Sequence, residues 1–181
     1  MELLRYYIAH NGGLSVMHLQ GGSMNTIGEL FEGKTLEHLI GCRRKPEVVF
    51  AAVAFHGGYR SEVGGKSWTK IMEGDVGTFT VGPHDEGVVY MGIGSIRLFR
   101  GEDGGKQFEP LDGRLDLTDE VKKKWHVPPR LRGIEAPQVR HILIHPDDQN
   151  LIFVLFEHGG VLLSRDRGGS WEPNLAETPS I

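Results

Sequence analysis

The sequence is poor in several features that mark particular classes of protein. It contains one cysteine, Cys42, in 181 residues, so an internal disulfide is excluded and a reducing compartment is favoured. Its apolar runs are all far shorter than the roughly 20 residues of a membrane-spanning helix. The first residues lack the basic start and apolar stretch of a signal peptide. We therefore expect a cytoplasmic protein without a membrane partner.

The charge balance also excludes some partners. The net charge is −4 and the isoelectric point is about 6.1, so we expect no strong electrostatic attraction to nucleic acid. The basic runs Arg43-Arg44-Lys45 and Lys122-Lys123-Lys124 hold three charges each, and a solvated loop explains such a run. We therefore predict no nucleic-acid partner.

Glycine is abundant, and its distribution reveals an internal repeat. There are 26 glycines but only 9 prolines, which indicates many tight turns. Three segments align without gaps, each running thirteen residues from a buried-type strand to an eight-residue turn: 48–61, 88–101 and 151–164. Such self-similarity is typical of repeat architectures.

One repeat unit predicts four short antiparallel strands. In the last copy, an apolar strand from Val139 to Ile144 ends at a Pro-Asp turn, and a second strand from Leu151 to Phe156 is apolar on both faces. That pattern is expected of a strand between two neighbouring sheets. A glycine turn then leads to a third strand, Val161 to Ser164, and an outer strand starts at Trp171.

The eight-residue turns, called corner turns below, join the third strand to the fourth. In the last of them, Gly168 can adopt positive φ at no steric cost, and Ser164 and Asp166 can accept backbone N–H bonds. Trp171 supplies an apolar plug. The residues assigned structural roles in the three corner turns are Ser61, Gly65 and Trp68; Asp103, Gly105 and Phe108; and Ser164, Asp166, Gly168 and Trp171.

The corner turns resemble Asp-boxes, with the pattern Ser/Thr-x-Asp-x-Gly-x-Thr-Trp. These repeats, also called BNR repeats, occur in the β-propellers of sialidases, xyloglucanase-type glycosidases, sortilin-type receptors and photosystem assembly factors. The turn 164–171 fits nearly fully, whereas 61–68 carries Val63 at the Asp position and 101–108 carries Gly101 at the Ser position. The resemblance implies propeller blades and leaves the activity open, because unrelated functions share the motif.

The predicted fold is therefore all-β, a β-propeller-type arc of about four blades of four-stranded antiparallel sheets in an incomplete ring. The first blade lacks its innermost strand, which a propeller can take from its C-terminus. Either the chain is part of a longer one, or two copies pair as a homodimer to close a ring. The single partial propeller, 1–181, divides into a degenerate blade 2–35, blades 36–74 and 75–111, an insertion loop 112–135 and a blade 136–175.

Propellers usually place ligand sites on the face opposite the corner turns, so the resemblance implies a site on that face, called the loop face below. It carries the turns between second and third strands and the links between blades. Histidines beside glycine pairs in these turns either ring a polar ligand or bond local carbonyls, and blade geometry argues against joint metal ligation. The predicted binding residues are His10, His56, His158, Trp125 and His126.

Two classes of function remain open. A binding or scaffold module that presents its loop face to a protein or glycan requires only the architecture. A glycosidase would need two carboxylates flanking the bond; the weak candidates are Glu157 and Asp75, with Asp112 and Glu135 behind them. The Arg-Ile-Pro segment near the start of sialidases is missing, and the sequence indicates neither a metal nor a cofactor. We therefore favour binding and leave enzymatic activity uncertain.

Overall fold

The computed structural model describes residues 4–10, 12–94, 96–111, 125, 137–157 and 159–174. Within these ranges all regular elements are β-strands. The strands are β1 (Leu4–His10), β2 (Gly13–Gln20), β3 (Ser23–Leu30), β4 (Leu36–Gly41), β5 (Val49–Val53), β6 (Gly57–Ser61), β7 (Thr69–Met72), β8 (Val76–Val81), β9 (Val89–Ile93), β10 (Arg97–Gly101), β11 (Glu109–Pro110), β12 (Gln138–Ile144), β13 (Ile152–Glu157), β14 (Val161–Ser164) and β15 (Glu172–Asn174).

The strands form four sheets of sequential neighbours, which we call blades 1 to 4 in chain order. Blade 1 has three strands, β1-β2-β3, and the others have four each: β4 to β7, β8 to β11 and β12 to β15. The pairings are antiparallel. The all-β prediction, with a first blade one strand short, is therefore confirmed.

The chain divides into two compact units, Met1–Phe79 and Thr80–Ile181, each described by itself below. The division falls inside β8. In the first unit, Phe50 of β5 packs against Phe79 with ring centroids 5.3 Å apart. In the second, a cluster around Tyr90, Ile152 and Val154 forms the core.

The same two backbone hydrogen bonds recur in blades 2, 3 and 4. Each turn between first and second strands is closed by an i to i+3 bond, as from Val48 N to Lys45 O at 2.8 Å, the bond of a β-turn. Each corner turn is then tied to that turn, as from Gly64 N to Glu47 O at 2.8 Å. The corresponding second bonds are Gly104 N to Gly87 O and Arg167 N to Asn150 O.

The second strands differ in how much of their surface is covered. Strands β5 and β9 are buried at every residue, whereas β13 alternates between buried and half-buried residues. The pattern predicts a strand sandwiched on both faces, and in the part of the chain that the structure describes the second face of β13 is half-buried. Only the face toward the core of its own unit is fully buried.

Two predicted features fall largely outside the described residues. They are the insertion loop 112–135 and the closing strand that the C-terminal end could supply to blade 1. In the part of the chain that the structure describes, no helix is long and apolar enough to cross a membrane.

Candidate functional site

The first and last corner turns share one hydrogen-bond pattern built on a buried serine. Ser61 Oγ accepts the backbone N–H of Val63 at 3.3 Å and of Gly65 at 2.8 Å. Ser164 Oγ accepts those of Asp166 and Gly168 at the same distances. A serine hydroxyl can satisfy these donors without an ordered water. The corner turns are therefore closed locally by their own side chains.

The aspartates at the third position of two corner turns add further bonds. Asp166 Oδ1 accepts the Ser170 N–H at 2.7 Å, and Asp103 Oδ1 accepts those of Lys106 and Gln107 at 2.9 and 3.1 Å. The Ser170 hydroxyl, followed by its N–H, lowers the pKa of Asp166. For Asp103, partial desolvation opposes the shift, but the Gln107 and Lys106 amides lower its pKa. Blade 2 has no such carboxylate, because Val63 stands at that position and is 47% exposed.

The aromatic plugs of the corner turns, Trp68, Phe108 and Trp171, are half-buried. Trp68 donates its indole N–H to Gly65 O at 3.1 Å and lies edge-on to Phe31, with ring centroids 5.5 Å apart. Trp171 packs against the core of the second unit. These contacts fit a packing role for the plugs.

On the loop face of blade 2, one aromatic side chain is presented to solvent. Phe55 lies in the turn between β5 and β6, is 82% exposed and has a φ of 59°, which is unusual for a bulky residue. Its N–H donates to Asp75 Oδ1 at 3.2 Å. Beside it, His56 Nδ1–H donates to Ala54 O at 2.7 Å. Asp75 and His56, both predicted for the site, thus flank Phe55.

Sequence reasoning missed Phe55. The available signal was a large aromatic between two buried-type strands, next to His56 and a glycine pair. Its positive φ is set by the three-dimensional course of the turn and has no marker in the residue type. Such an outlier is a reason to consider a functional role.

His10, in blade 1, belongs to a polar chain at the same end of the strands. The Gly12 N–H donates to His10 Nδ1 at 3.0 Å, so Nε2 carries the proton and donates to Ser15 Oγ at 2.9 Å. Ser15 in turn donates to Glu29 Oε1 at 3.1 Å. A nucleophilic serine must instead give its proton to the histidine. This arrangement therefore orients the three side chains without activating Ser15.

In blade 4, the carboxylate candidate Glu157 is held by an arginine. Arg140 Nε donates to Glu157 Oε2 at 2.6 Å, and its terminal nitrogen contacts the same oxygen. Both side chains are a little more than one-third exposed. The guanidinium thus engages the Glu157 carboxylate by geometry typical of a structural ion pair.

Trp125, one of the predicted binding residues, packs on blade 4. Its ring centroid lies 4.9 Å from that of Phe156. A Cβ built on Gly160 would come within 2.9 Å of the indole nitrogen, so the glycine makes room for the ring. His126, His158, Asp112 and Glu135 lie outside the described residues.

A repeated charged pair lies beside the corner turns of blades 2 and 3. Arg60 pairs with Glu62 at 2.7 Å and sits 5.9 Å from the ring centre of Phe50. At the equivalent positions of blade 3, Arg100 pairs with Glu102 and sits 6.0 Å from the ring of Tyr90. A cleft of about 430 Å³ adjoins the blade 3 pair. Glu102 engages Arg100, and the other charged residues that line the cleft are both acidic, Asp103 and Glu109.

Among the described residues, no group of three or more His, Cys, Asp or Glu side chains is arranged to hold a metal ion. Two histidines of the other turns and inner strands contact backbone groups from distant segments of the chain. His84 Nε2 lies 3.0 Å from His145 O, and His38 Nδ1 accepts the Phe79 N–H at 3.3 Å.

Comparison with known proteins shows the fold. No protein-family model and no curated relative matches the sequence. Among solved structures, an ancestral GH74 enzyme has a TM-score of 0.69 at 12% identity over 93% of this chain. The GH74 xyloglucanase from Xanthomonas campestris has a TM-score of 0.67 at 17% identity over 92% of this chain. YCF48 from Cyanidioschyzon merolae has 0.51 at 13% identity, covering 85% of this chain and 44% of that one.

The sheets are therefore blades of a β-propeller fold, and the chain is a β-propeller repeat module. Identities this low establish the fold and do not carry an activity. The chain spans only 22% of the ancestral enzyme and 27% of the Xanthomonas enzyme.

Proposed function

We propose that the chain is a binding module that docks a partner protein through its loop face, with Phe55 as the anchor. The observation that carries this proposal is the 82% exposure of Phe55 in a left-handed turn. A phenylalanine that is so exposed buries little apolar area and adds little to the hydrophobic stabilisation of the fold. Aromatic anchors of this kind dominate protein interfaces when they enter a pocket of the partner.

The surroundings of Phe55 support the same function. The Asp75 carboxylate fixes the turn through the Phe55 N–H, and His56 is bonded to the backbone of Ala54. An anchor that is already positioned loses little conformational freedom on binding. Asp75 and His56 also add polar groups around an apolar centre, the usual composition of an interface rim.

We further infer that the corner turns are Asp-boxes with a stabilising role. Their serine and aspartate acceptors are satisfied by amides within the same turn. Because these acceptor oxygens are already hydrogen-bonded, they have little capacity left to bind a ligand. The corner turns thus serve the blade, and the opposite face is left for recognition.

Glycoside hydrolysis is the alternative, and the described carboxylates support it less well. Catalysis needs one carboxyl group that protonates the leaving oxygen and a second that acts as nucleophile or base. Glu157 is paired with Arg140, and Asp75 accepts a backbone N–H. Turnover of aryl glycosides that is abolished by Glu157→Gln and retained in Asp166→Asn would establish hydrolysis and reject the binding module.

The binding proposal is tested by comparing Phe55→Ala with Val63→Ala. Val63 is also a half-exposed apolar residue of blade 2, but it lies in the corner turn. Partner proteins that crosslink to the wild-type chain are identified by quantitative mass spectrometry. Each partner is then purified, and its affinity for the wild type and for the two variants is measured. We expect Phe55→Ala to weaken binding about 30-fold or more, the effect of losing a hot-spot residue, and Val63→Ala to leave it unchanged.

If a partner binds the wild type, Phe55→Ala and Val63→Ala with equal affinity, Phe55 is not the anchor. Binding on a glycan array that depends on Phe55, without any Phe55-dependent protein, would replace the protein partner with a carbohydrate.

A further inference from the structure

In blades 3 and 4, an aspartate closes the turn between the first and second strands. Asp85 Oδ1 accepts the Gly87 N–H at 2.8 Å, and Asp148 Oδ1 accepts the Asn150 N–H at 2.9 Å. The same position of the repeat in blade 2 holds Lys45, whose ammonium group has no acceptor. Blade 2 therefore makes this turn without the side-chain bond that the other two blades use.

The backbone of the turn is nonetheless the same in all three blades. The bond from Val48 N to Lys45 O, 2.8 Å long, has a counterpart in each of the other two blades. Pro46 follows Lys45, at the position of a β-turn where proline is favoured because its φ is fixed. Aspartate is favoured at the first position of such a turn. The turn thus accommodates Lys45 but does not require it.

The corner turn of blade 2 lacks a second carboxylate in the same way. Asp103 and Asp166 accept backbone N–H groups in blades 3 and 4, and Val63 stands at their position in blade 2. The two turns lie side by side, because Gly64 N–H donates to Glu47 O at 2.8 Å. One end of blade 2 therefore omits two acidic side chains that stabilise turns elsewhere in the same chain.

The turn 42–48 and the corner turn 61–68 of blade 2, together called the basic end below, carry a set of exposed cationic side chains: Arg43, Arg44, Lys45 and Lys66. Arg5 of blade 1 adds a guanidinium, because its Nη1 occupies the space where a Cβ on Gly64 would stand. Of the two glutamates at this end, Glu62 is already paired with Arg60 at 2.7 Å. Positive charge therefore dominates the basic end.

The corresponding turns of the other blades have the opposite balance. The basic end holds four Lys and Arg residues against two glutamates. The equivalent residues of blade 3, 82–88 and 101–108, hold one cationic and four acidic side chains, and those of blade 4, 145–151 and 164–171, hold two and three. The positive charge is therefore a property of blade 2 and not of the repeat.

We propose that the basic end binds an acidic segment of a partner protein. Blade 2 is thus the exception to the stabilising role inferred for the corner turns. Guanidinium groups match carboxylates through two parallel hydrogen bonds, and exposed charges of one sign steer an oppositely charged partner. The basic end lies at the opposite end of the strands from Phe55, so this binding is independent of the proposed loop-face function.

The side chains around these cations favour a polypeptide over nucleic acid or a lipid surface. Binding of single strands uses aromatic rings on which bases stack. The structure describes all residues of the basic end, and their one aromatic, Trp68, is half-buried with its indole N–H bonded to Gly65 O at 3.1 Å. Membrane-surface binding uses bulky apolar side chains such as Trp, Phe and Leu, whereas the large apolar residue exposed here is Val63.

The proposal is tested with a fluorescein-labelled peptide of alternating glutamate and serine, and with its glutamine counterpart as the reference. Binding of each peptide to the full chain is measured by fluorescence anisotropy at about 50 and 300 mM salt, which screen charges to different extents. We expect the glutamate peptide to bind at least about 10-fold more tightly at the lower salt concentration, and the difference to shrink at the higher one.

Lys66→Glu and Lys106→Glu form a matched pair of variants. The two lysines occupy the same position in the corner turns of blades 2 and 3, and both are exposed. Each variant changes the net charge of the chain equally. Lys66→Glu should weaken binding of the glutamate peptide about 5-fold or more, and Lys106→Glu should leave it nearly unchanged.

Lys45→Asp separates binding from stability. It restores the acceptor that Asp85 and Asp148 supply in the other blades, so the melting temperature should not fall. Affinity for the glutamate peptide should nevertheless decrease about 5-fold or more. A lysine with a merely structural role would give the reverse, a lower melting temperature with unchanged affinity.

Several outcomes would overturn the proposal. They are equal affinity for the glutamate and glutamine peptides, and equal effects of Lys66→Glu and Lys106→Glu. Tighter binding of a single-stranded RNA of equal charge, or of phosphatidylserine vesicles, would replace the acidic segment with a phosphate-bearing ligand. Phe55→Ala should bind the peptide like the wild type, and a loss in that variant would place the peptide on the loop face instead.

Discussion

Asp166 holds Ser170 through both of its carboxylate oxygens. Oδ1 accepts the Ser170 N–H and Oδ2 accepts the Ser170 hydroxyl, each at 2.7 Å. Ser164 also donates its hydroxyl to Oδ1 at 2.8 Å. The carboxylate therefore joins both ends of the last corner turn, and its charge strengthens each bond.

Replacing Asp166 with Asn should destabilise the protein by about 1 kcal/mol, as for other side chains that cap a backbone turn. The loss should depend on pH. The folded-state pKa of Asp166 lies below its ordinary 3.8, so the unfolded chain binds the proton more readily. The advantage of the wild type is complete above pH 3.8 and disappears as the pH falls through the lower folded-state pKa.

Urea unfolding of the wild type and Asp166→Asn between pH 2 and 7 measures this difference. The control is Asp147→Asn, an exposed aspartate in the turn after β12. A gap between wild type and Asp166→Asn that stays constant down to the lowest pH would contradict the role of the carboxylate.

Introducing the missing carboxylate into blade 2 should stabilise it. Val63 occupies the position of Asp166, and Ser67 occupies that of Ser170. In Val63→Asp the new carboxylate can accept the Ser67 N–H and hydroxyl, at a gain of about 0.5–1.5 kcal/mol. Removing a half-exposed valine loses little packing. The melting temperature should rise, and should return to the wild-type value in Val63→Asp with Ser67→Gly.

Replacing Gly65 with alanine should destabilise the protein more than replacing Gly21, a glycine of similar backbone conformation. Both Gly65 and Gly21 have positive φ, 78° and 60°. A Cβ on Gly65 would lie 2.9 Å from Tyr7, whereas one on Gly21 would meet no atom within 4 Å. We expect Gly21→Ala to cost about 1 kcal/mol of backbone strain, and Gly65→Ala to cost about 1–3 kcal/mol more through overpacking. Equal losses in denaturant unfolding would show that blade 1 does not press on this corner turn.

Phe55→Gly should stabilise the fold or leave its stability unchanged. The side chain is 82% exposed, so little buried area is lost, and glycine relieves the cost of a φ of 59°. The strain of such a residue is about 1–3 kcal/mol, partly offset by the larger entropy of glycine in the unfolded chain. Calorimetry should show a melting temperature no lower than that of the wild type. A large decrease would mean that Phe55 serves the fold and not a partner.

Local chemistry explains how much of the architecture was predictable. The strand predicted from Val161 to Ser164 has the bounds of β14, and the one predicted from Val139 to Ile144 lies within β12, Gln138–Ile144. These strands were predictable because a buried strand needs an apolar run, and a corner turn needs Ser, Gly and an aromatic residue at set offsets. The candidate site was less readable: Glu157 was expected as a possible catalyst, but it is paired with Arg140, seventeen positions earlier in the chain.

The sequence by itself thus determined the repeat, the strand order within each blade and the chemistry of the corner turns, because these depend on residues a few positions apart. Only the tertiary structure decided which sheet faces are covered, which carboxylates are paired and that Phe55 points into solvent. Those properties depend on contacts between segments distant in the chain. The alternation of buried residues in β13 and the exposure of Leu143 depend on how the sheets pack, which a local pattern does not encode.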